Sequence, residues 1–209
     1  MHAVIFDVDG TLWDSTEKVA LSWRETCTRL KIPCEHITGE RLKSEFGKLL
    51  GDIGRSLFPD LTTEESLDLI AKACAEENEY LRRDPPSLLP EVAGLFAELK
   101  KRGIPAYIVS NCECGYIEAM MDVTGLKELV SGHLCAGDTL ADKAGTMRIL
   151  IEEKGIQSPV YVGDTLGDYH STKEVGIPFV FAAYGFGNVP SPDAVIRHPL
   201  ELLDVLPLI

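Results

Sequence analysis

The sequence predicts an α/β fold: a doubly wound parallel sheet with a helical cap inserted into it. Three observations point there. One phrase recurs where helix should meet strand: KRGIPAYIVSN at 101–111, EKGIQSPVYVGD at 153–164 and EVGIPFVFAAY at 174–184. Each puts glycine where a helix ends and then enters a short apolar run. Those runs lack the polar alternation of a half-exposed strand and read as strands covered on both faces. Helical spacing precedes the joints, with Val92, Leu95, Phe96 and Leu99 before the first and Met147, Leu150 and Ile151 before the second. Strand and helix therefore alternate, which implies right-handed crossovers and a parallel sheet.

In chain order, strands are expected near 2–7, 104–110, 131–135, 159–163 and 178–182. The stretch between the first and second is too long for one crossover, and residues 16–82 read as helical. DSTEKVALSWRETCTRL opens on a capping Asp14 or Ser15 and carries Val19, Trp23, Cys27 and Leu30 on one stripe. LTTEESLDLIAKACAEENEYL has a capping box in Thr62 and Glu65, then Leu67, Ile70, Cys74 and Leu81. EFGKLLGDIGRS, residues 45–56, holds Gly47, Gly51 and Gly54 and is expected to form a turn rather than a continuous helix. DPPSLLP at 84–90 reads as the return linker. The core is assigned to residues 1–14 and 85–209 and the cap to 15–84. Entering there, the cap overhangs the C-terminal ends of the strands, where open α/β sheets bind ligands.

With 33 acidic against 20 basic side chains, the formal net charge of −13 over 209 residues argues against nucleic acid or an anionic membrane as a partner. No apolar run reaches the roughly 18 to 20 residues of a membrane span. Met1-His2-Ala3 leads into an apolar run without the basic segment of a secretory leader, so a cytoplasmic protein is expected. The six cysteines then read as small buried residues in a reducing compartment. Cys112-x-Cys114 has no second matching pair, which argues against a zinc site.

Polar residues gather at the ends of three predicted strands. The run VIFDVDGTLWDS at 4–15 ends its strand in Asp7 and Asp9, one position apart. Two carboxylates held close repel each other unless a cation or a shared proton offsets them. The second strand ends in Ser110-Asn111, and the fourth in Gly163-Asp164-Thr165 with Asp168 following; Lys143 precedes the helix that leads to it. No Walker-type loop is present, and YGFG at 184–187 lacks the third glycine of a dinucleotide fingerprint. His170 reads as a satisfied or solvated histidine, and Trp13 and Trp23 as packing between cap and core.

Together, Asp7-x-Asp9-Gly10-Thr11, Ser110-Asn111, Lys143 and Gly163-Asp164-Thr165-x-x-Asp168 resemble the four motifs of the haloacid dehalogenase (HAD) superfamily. Over about residues 2–187 the chain is similar to its phosphoglycolate phosphatase-like branch, which carries a helical cap between the first two motifs. Two positions depart from that pattern: Lys143-Ala144 stands where Lys-Pro is frequent, and Trp13 where a small aliphatic residue is usual. The resemblance implies a Rossmann-like core and a Mg²⁺-dependent phosphatase of a small phosphorylated metabolite, acting through a phospho-aspartate. It makes Asp7 the nucleophile and Asp9 the acid/base partner. Gly10, Ser110, Asn111 and Lys143 would bind phosphate. Asp7, Asp9 (through its carbonyl), Asp164 and Asp168 would form the metal set.

Elementary chemistry agrees. An aspartate is ionised at neutral pH and can attack phosphorus without a base. A second carboxyl group can protonate the leaving oxygen and later take a proton from water. Clustered carboxylates are the hard oxygen ligands Mg²⁺ prefers. Asp9 argues against dehalogenase chemistry, which has no use for it. A sugar phosphomutase of the same superfamily and, from another class, a phospho-accepting signalling domain stand as alternatives. In the capped phosphatases that the chain resembles, the turn matching residues 45–56 lies over the site, which makes Lys48 a candidate reader of a second anionic group on the substrate.

Overall fold

The computed structural model describes residues 3–208, so His2, the first residue of the first predicted strand, lies outside the described residues. One parallel sheet of six strands runs in the order β3-β2-β1-β4-β5-β6. Its strands are β1 (Ala3–Phe6), β2 (Ala106–Ser110), β3 (Gly132–Cys135), β4 (Pro159–Gly163), β5 (Phe179–Ala182) and β6 (Ala194–Ile196). The first five are the expected strands, four of them trimmed at an end. The sixth was not foreseen: three residues, only one of them buried, give too short a run to read. It pairs with β5 through Val180↔Ala194 and Ala182↔Ile196. Strand β1 lies between β2 and β4, with Val4 in register with both Ala106 and Val160. The strand order reverses there, so the residues after Phe6 emerge where such sheets bind ligands.

Alternation along β1 sends Val4 and Phe6 into one apolar cluster and Ala3 and Ile5 into another on the opposite face. The helices between β1 and β2 begin with α1 (Thr16–Leu30), α2 (Gly39–Lys43), α3 (Leu50–Leu57) and α4 (Thr63–Arg83). They form the insert over one end of the sheet, and its apolar residues join the first cluster. Then α5 (Val92–Lys101) and α6 (Tyr116–Thr124) cover the same face, with the Phe96 ring tilted against that of Phe6 at 4.9 Å between centroids. After the short α7 (Ala136–Thr139), α8 (Lys143–Lys154) and α9 (Leu166–Val175) cover the other face, and α10 (Leu202–Val205) closes the chain.

Local signals explain most helix ends. The capping box of α4 forms as read: Thr62 Oγ1 accepts from the Glu65 N–H at 3.2 Å, and Glu65 Oε2 accepts from the Thr62 N–H at 2.9 Å. Helix α1 is capped by Asp14, whose Oδ1 accepts from the Thr16 N–H at 3.1 Å, while the Ser15 hydroxyl points elsewhere. The apolar stripes hold except at Leu30 and Leu67, which are 37% and 46% exposed; Leu69 takes the inward place on α4.

The expectation for residues 45–56 is corrected. Gly47 does lie in a turn, at φ +88°, but Gly51 and Gly54 are inside helix α3. What Gly54 provides is close approach: a Cβ there would come 2.6 Å from Ser66 Oγ and 3.2 Å from Ile70 Cγ1 on α4. At Gly51 the nearest atom would be 3.5 Å away, an ordinary contact. Gly54→Leu is therefore expected to destabilise the protein by about 1 to 3 kcal/mol through overpacking. Gly51→Ala, with room for its methyl group and a better helix former, should be neutral or stabilising by up to about 1 kcal/mol. Urea denaturation of the two variants separates a packing glycine from a turn glycine.

Candidate active site

Strand β1 delivers Asp7 to its C-terminal end, where the Asp7 N–H donates to the Val162 carbonyl at 2.9 Å. The chain then folds tightly: the N–H groups of Thr11 and Leu12 donate to the Val8 carbonyl at 3.2 and 2.7 Å, and that of Gly10 to Trp13 at 2.8 Å. Gly10 has φ +81°, and a Cβ on it would lie 2.2 Å from Asp164 Oδ2. Any other residue would be strained and would strike the neighbouring acid.

Asp164 follows β4 and is fully buried; it accepts from Thr11 Oγ1 at 3.3 Å and from the Phe186 N–H at 2.7 Å. Asp168 sits in the first turn of α9 and shares a capping box with Thr165. Its Oδ2 accepts from the Thr165 N–H at 2.9 Å and hydroxyl at 2.6 Å, and its Oδ1 from Tyr161 at 3.3 Å and Lys143 Nζ at 2.5 Å. Lys143 opens α8, and the same ammonium donates to Asp7 Oδ1 at 2.7 Å. Asp7 Oδ2 has no hydrogen-bond partner among the described residues.

The balance of charge is uneven. Oxygens of Asp7, Asp164 and Asp168 all lie within 4.8 Å of one another, yet the one ammonium bonded to the cluster is Lys143. Burial and the Asp168 charge push Asp7 up to about 7, against the pull of Lys143. Burial, Asp168 and Asp7 push Asp164 up to about 8. Burial works against the Lys143 ammonium, but Asp168 and Asp7 outweigh it and hold its pKa above the ordinary lysine range. Three buried carboxyl groups of this kind could hold a divalent cation, and all-oxygen donors suit a hard one.

Asp9 is half-buried and faces a different set of partners. Its Oδ1 accepts from Ser15 Oγ at 2.7 Å, and its Oδ2 from the Tyr116 hydroxyl at 2.7 Å. Ser15 Oγ and Tyr116 Oη are themselves 2.6 Å apart. Burial pushes Asp9 up to about 6, with Ser15 and Tyr116 restraining the rise.

Asp7 and Asp9 open onto a cavity of about 50 Å³ between core and insert, beside Ser110 and Asn111. The Ser110 hydroxyl accepts from the Cys112 N–H at 3.3 Å. Asn111 gives its side-chain N–H to the Gly47 carbonyl at 2.8 Å and so ties the core to the turn of the insert. The insert's wall includes Trp23, Phe46, Lys48 and Glu77. Lys48 Nζ lies 2.7 Å from Glu45 Oε2, so the ammonium already has a counter-ion; buried Glu45 also binds Arg41 at 2.8 Å. Lys143, Asp164 and Asp168 lie outside that lining, around the buried side of Asp7.

The model of the family described as "Haloacid dehalogenase-like hydrolase" matches residues 4–182. The chain belongs to that family. It is 26% identical over 218 residues to a phosphoglycolate phosphatase of Aquifex aeolicus, covering 99% of this chain and 97% of the relative. It is 27% identical over 214 residues to a phosphoglycolate phosphatase of Synechococcus elongatus, with coverage of 99% and 97%. A solved haloacid dehalogenase-like family hydrolase from Streptococcus pneumoniae superposes with a TM-score of 0.78 at 23% identity, over 98% of this chain and 97% of that one. At that identity the structural likeness speaks for the fold.

Within this HAD-like site, sequence reasoning missed Ser15 and Tyr116 around Asp9, Tyr161 beside Asp168, and Glu45 and Glu77 on the insert. Ser15, Tyr161 and Glu45 lie within seven positions of their partners, whereas Tyr116 and Glu77 are far from theirs in the chain. Trp23 packs, as expected, but it also lines the cavity and donates its indole N–H to Glu77. His170 is exposed. The reading of the cysteines as uniformly buried is corrected: Cys114 is exposed and Cys112 half-buried, although all six are free thiols. Among the described residues, no helix is long and apolar enough to cross a membrane.

The raised carboxyl groups set the sign of a pH dependence. Asp7 and Asp164 titrate near 7 and 8 when folded, against an ordinary 3.8, so between those values the native state holds protons that the unfolded chain has released. Stability of the metal-free protein should therefore fall as the pH rises from about 5 to about 8. In excess chelator the urea midpoint is expected to drop over that range, and Asp164→Asn should flatten the slope. A midpoint that climbs instead would contradict the protonation of these acids.

Proposed function

We propose that this protein is a Mg²⁺-dependent phosphatase of small phosphomonoesters that works through a phospho-aspartate on Asp7. The observation that carries the reading is the division of labour around the cavity. Asp7 presents one unpartnered oxygen, while Asp9, two residues on, is held by hydroxyl groups at a pKa of about 6. Family membership and the phosphoglycolate phosphatases among the relatives support it.

Lys143 fixes Asp7 Oδ1 and leaves Oδ2 as the attacking atom. Attack on phosphorus forms an acyl phosphate and breaks the bond to the leaving oxygen. Asp9 gives that oxygen its proton, then takes one from the water that opens the acyl phosphate and frees Asp7. Ser15 and Tyr116 hold the Asp9 carboxyl in place for both transfers. The Ser110 hydroxyl donates to a phosphoryl oxygen from the opposite wall. Asp7 and Asp164 would hold Mg²⁺, with Asp168 behind them, and the ion would supply positive charge against the substrate's phosphoryl group. Asn111, through Gly47, holds residues 15–84 over the site as a cap.

Asp7→Asn is expected to abolish turnover of 4-nitrophenyl phosphate with the fold retained by circular dichroism. Asp9→Asn should lower kcat by about 10²- to 10⁴-fold while still forming a phosphoenzyme that acid quench and mass spectrometry detect on Asp7. Absence of that adduct, with wild-type turnover intact, would remove Asp7 as the nucleophile.

Excess chelator should abolish activity, Mg²⁺ should restore it, and Ca²⁺, with longer bonds and more ligands, should restore it poorly. Because Asp168 already carries the Lys143 ammonium on Oδ1 and Thr165 on Oδ2, whereas no cation among the described residues is bonded to Asp164, Asp164→Ala should weaken Mg²⁺ binding more than Asp168→Ala does. Calorimetric titration of the metal gives that order directly.

A further inference from the structure

The part of the cavity lining that the insert supplies is apolar at Phe46, Leu50 and Ile53, and the buried polar group among these residues is an acid. Glu77, on α4, is 6% exposed and lines the space. Its Oε2 accepts the indole N–H of Trp23, and its Oε1 has no hydrogen-bond partner among the described residues. Lys48, the cation on the same wall, is matched by Glu45 at 2.7 Å. A leaving group with its own carboxylate would meet Glu77 and Asp9 there and no unpaired ammonium. A leaving group with a protonated amine would find a carboxylate with an open oxygen and an indole beside it, a pairing that suits a cation.

We propose that Glu77 and Trp23 form a specificity site for a protonated amine, so that the preferred substrate is an aminoalkyl phosphate rather than a phosphate bearing a second carboxylate. The proposal rests on the phosphatase reading above. Burial, opposed by the Trp23 N–H and reinforced by the charges of Asp9 and Glu113, pushes Glu77 up to about 8 in the empty site. At that value the empty acid holds its proton at neutral pH, and an arriving ammonium would lower its pKa and release that proton to solvent, leaving the ion pair. Phosphoglycolate, for which the relatives are named, carries the opposite charge at the end away from its phosphate, so this site would set the chain apart from them.

The test compares kcat/KM of the Mg²⁺-loaded protein for 2-aminoethyl phosphate, ethyl phosphate and phosphoglycolate, in the wild type and in Glu77→Gln. Glutamine still offers Trp23 an acceptor but no charge. The wild type is expected to favour the amine over ethyl phosphate by about ten- to a hundredfold, with phosphoglycolate slowest, and Glu77→Gln should erase most of that ratio. Phosphoglycolate ahead of the amine in the wild type, or a ratio unmoved by Glu77→Gln, overturns the proposal. Hydrolysis of 4-nitrophenyl phosphate reports separately on the phosphatase reading. If that fails, calorimetric titration with 2-aminoethylphosphonate against ethylphosphonate still decides the role of Glu77. Tighter binding of the amine that is lost in Glu77→Gln supports it, and equal affinities sink it.

Discussion

Lys143 stands between Asp7 and Asp168 with an ammonium that is 2% exposed, and the rest of the site is arranged around that bond pair. Taking such charges out of water costs several kcal/mol per ion and is sustained only where every partner is satisfied. The position is also unfavourable by itself, because Lys143 is the first residue of α8 and a helix N-terminus repels a cation. Asp142 at the cap position and the two buried carboxylates offset that. Asp168 is in turn held by Thr165 and Tyr161, so the lysine cannot follow one acid away from the other. One oxygen of Asp7 is thereby immobilised and the other left toward the cavity. The acid that remains without a cation of its own is Asp164, and this is where the cluster most lacks positive charge.

Packing so many oxygens together demands that the backbone come close, and three glycines allow it around Asp164. Gly10 has already been described on one side. On the other, a Cβ at Gly185 would lie 2.3 Å from Asp164 Cβ, and one at Gly187 would lie 2.3 Å from its carbonyl oxygen. The segment YGFG therefore wraps the acid, and its Phe186 N–H bonds the carboxylate. Read as a sequence, this segment could be excluded as a nucleotide loop but had no other use.

The core was legible because its signals are local. Strands buried on both faces announce themselves as apolar runs, glycine marks the helix ends, and Asp7, Asp9, Asp164 and Asp168 fall within short motifs at strand ends. The short edge strand β6 carried no such signal. Gly54 misled because glycine can mean a turn or a close helix contact, and only the presence of Ser66 and Ile70 across the gap decides which. Leu30 and Leu67 obeyed helical spacing yet lie at the rim of their stripes. The partners of the site residues were the least readable. Tyr116 meets Asp9 across 107 positions and Trp23 meets Glu77 across 54, distances over which spacing holds no information.

Trp13 shows how these separate parts become one mechanical unit. It is fully buried at the point where the chain leaves the core, and it forms a bridge to Leu88, where the chain returns. The neighbouring Leu89 N–H donates to the Leu12 carbonyl at 2.9 Å, so both crossings between core and insert are pinned together. The indole also meets the Tyr116 ring edge-on, with centroids 5.8 Å apart. The hydroxyl of that tyrosine holds Asp9, and the other hydroxyl on Asp9 comes from Ser15, immediately before α1. A small aliphatic side chain at position 13 could pin the crossings but could not reach Tyr116 as well. The large residue at this position thus joins the two connections of the insert to the Asp9 carboxyl group.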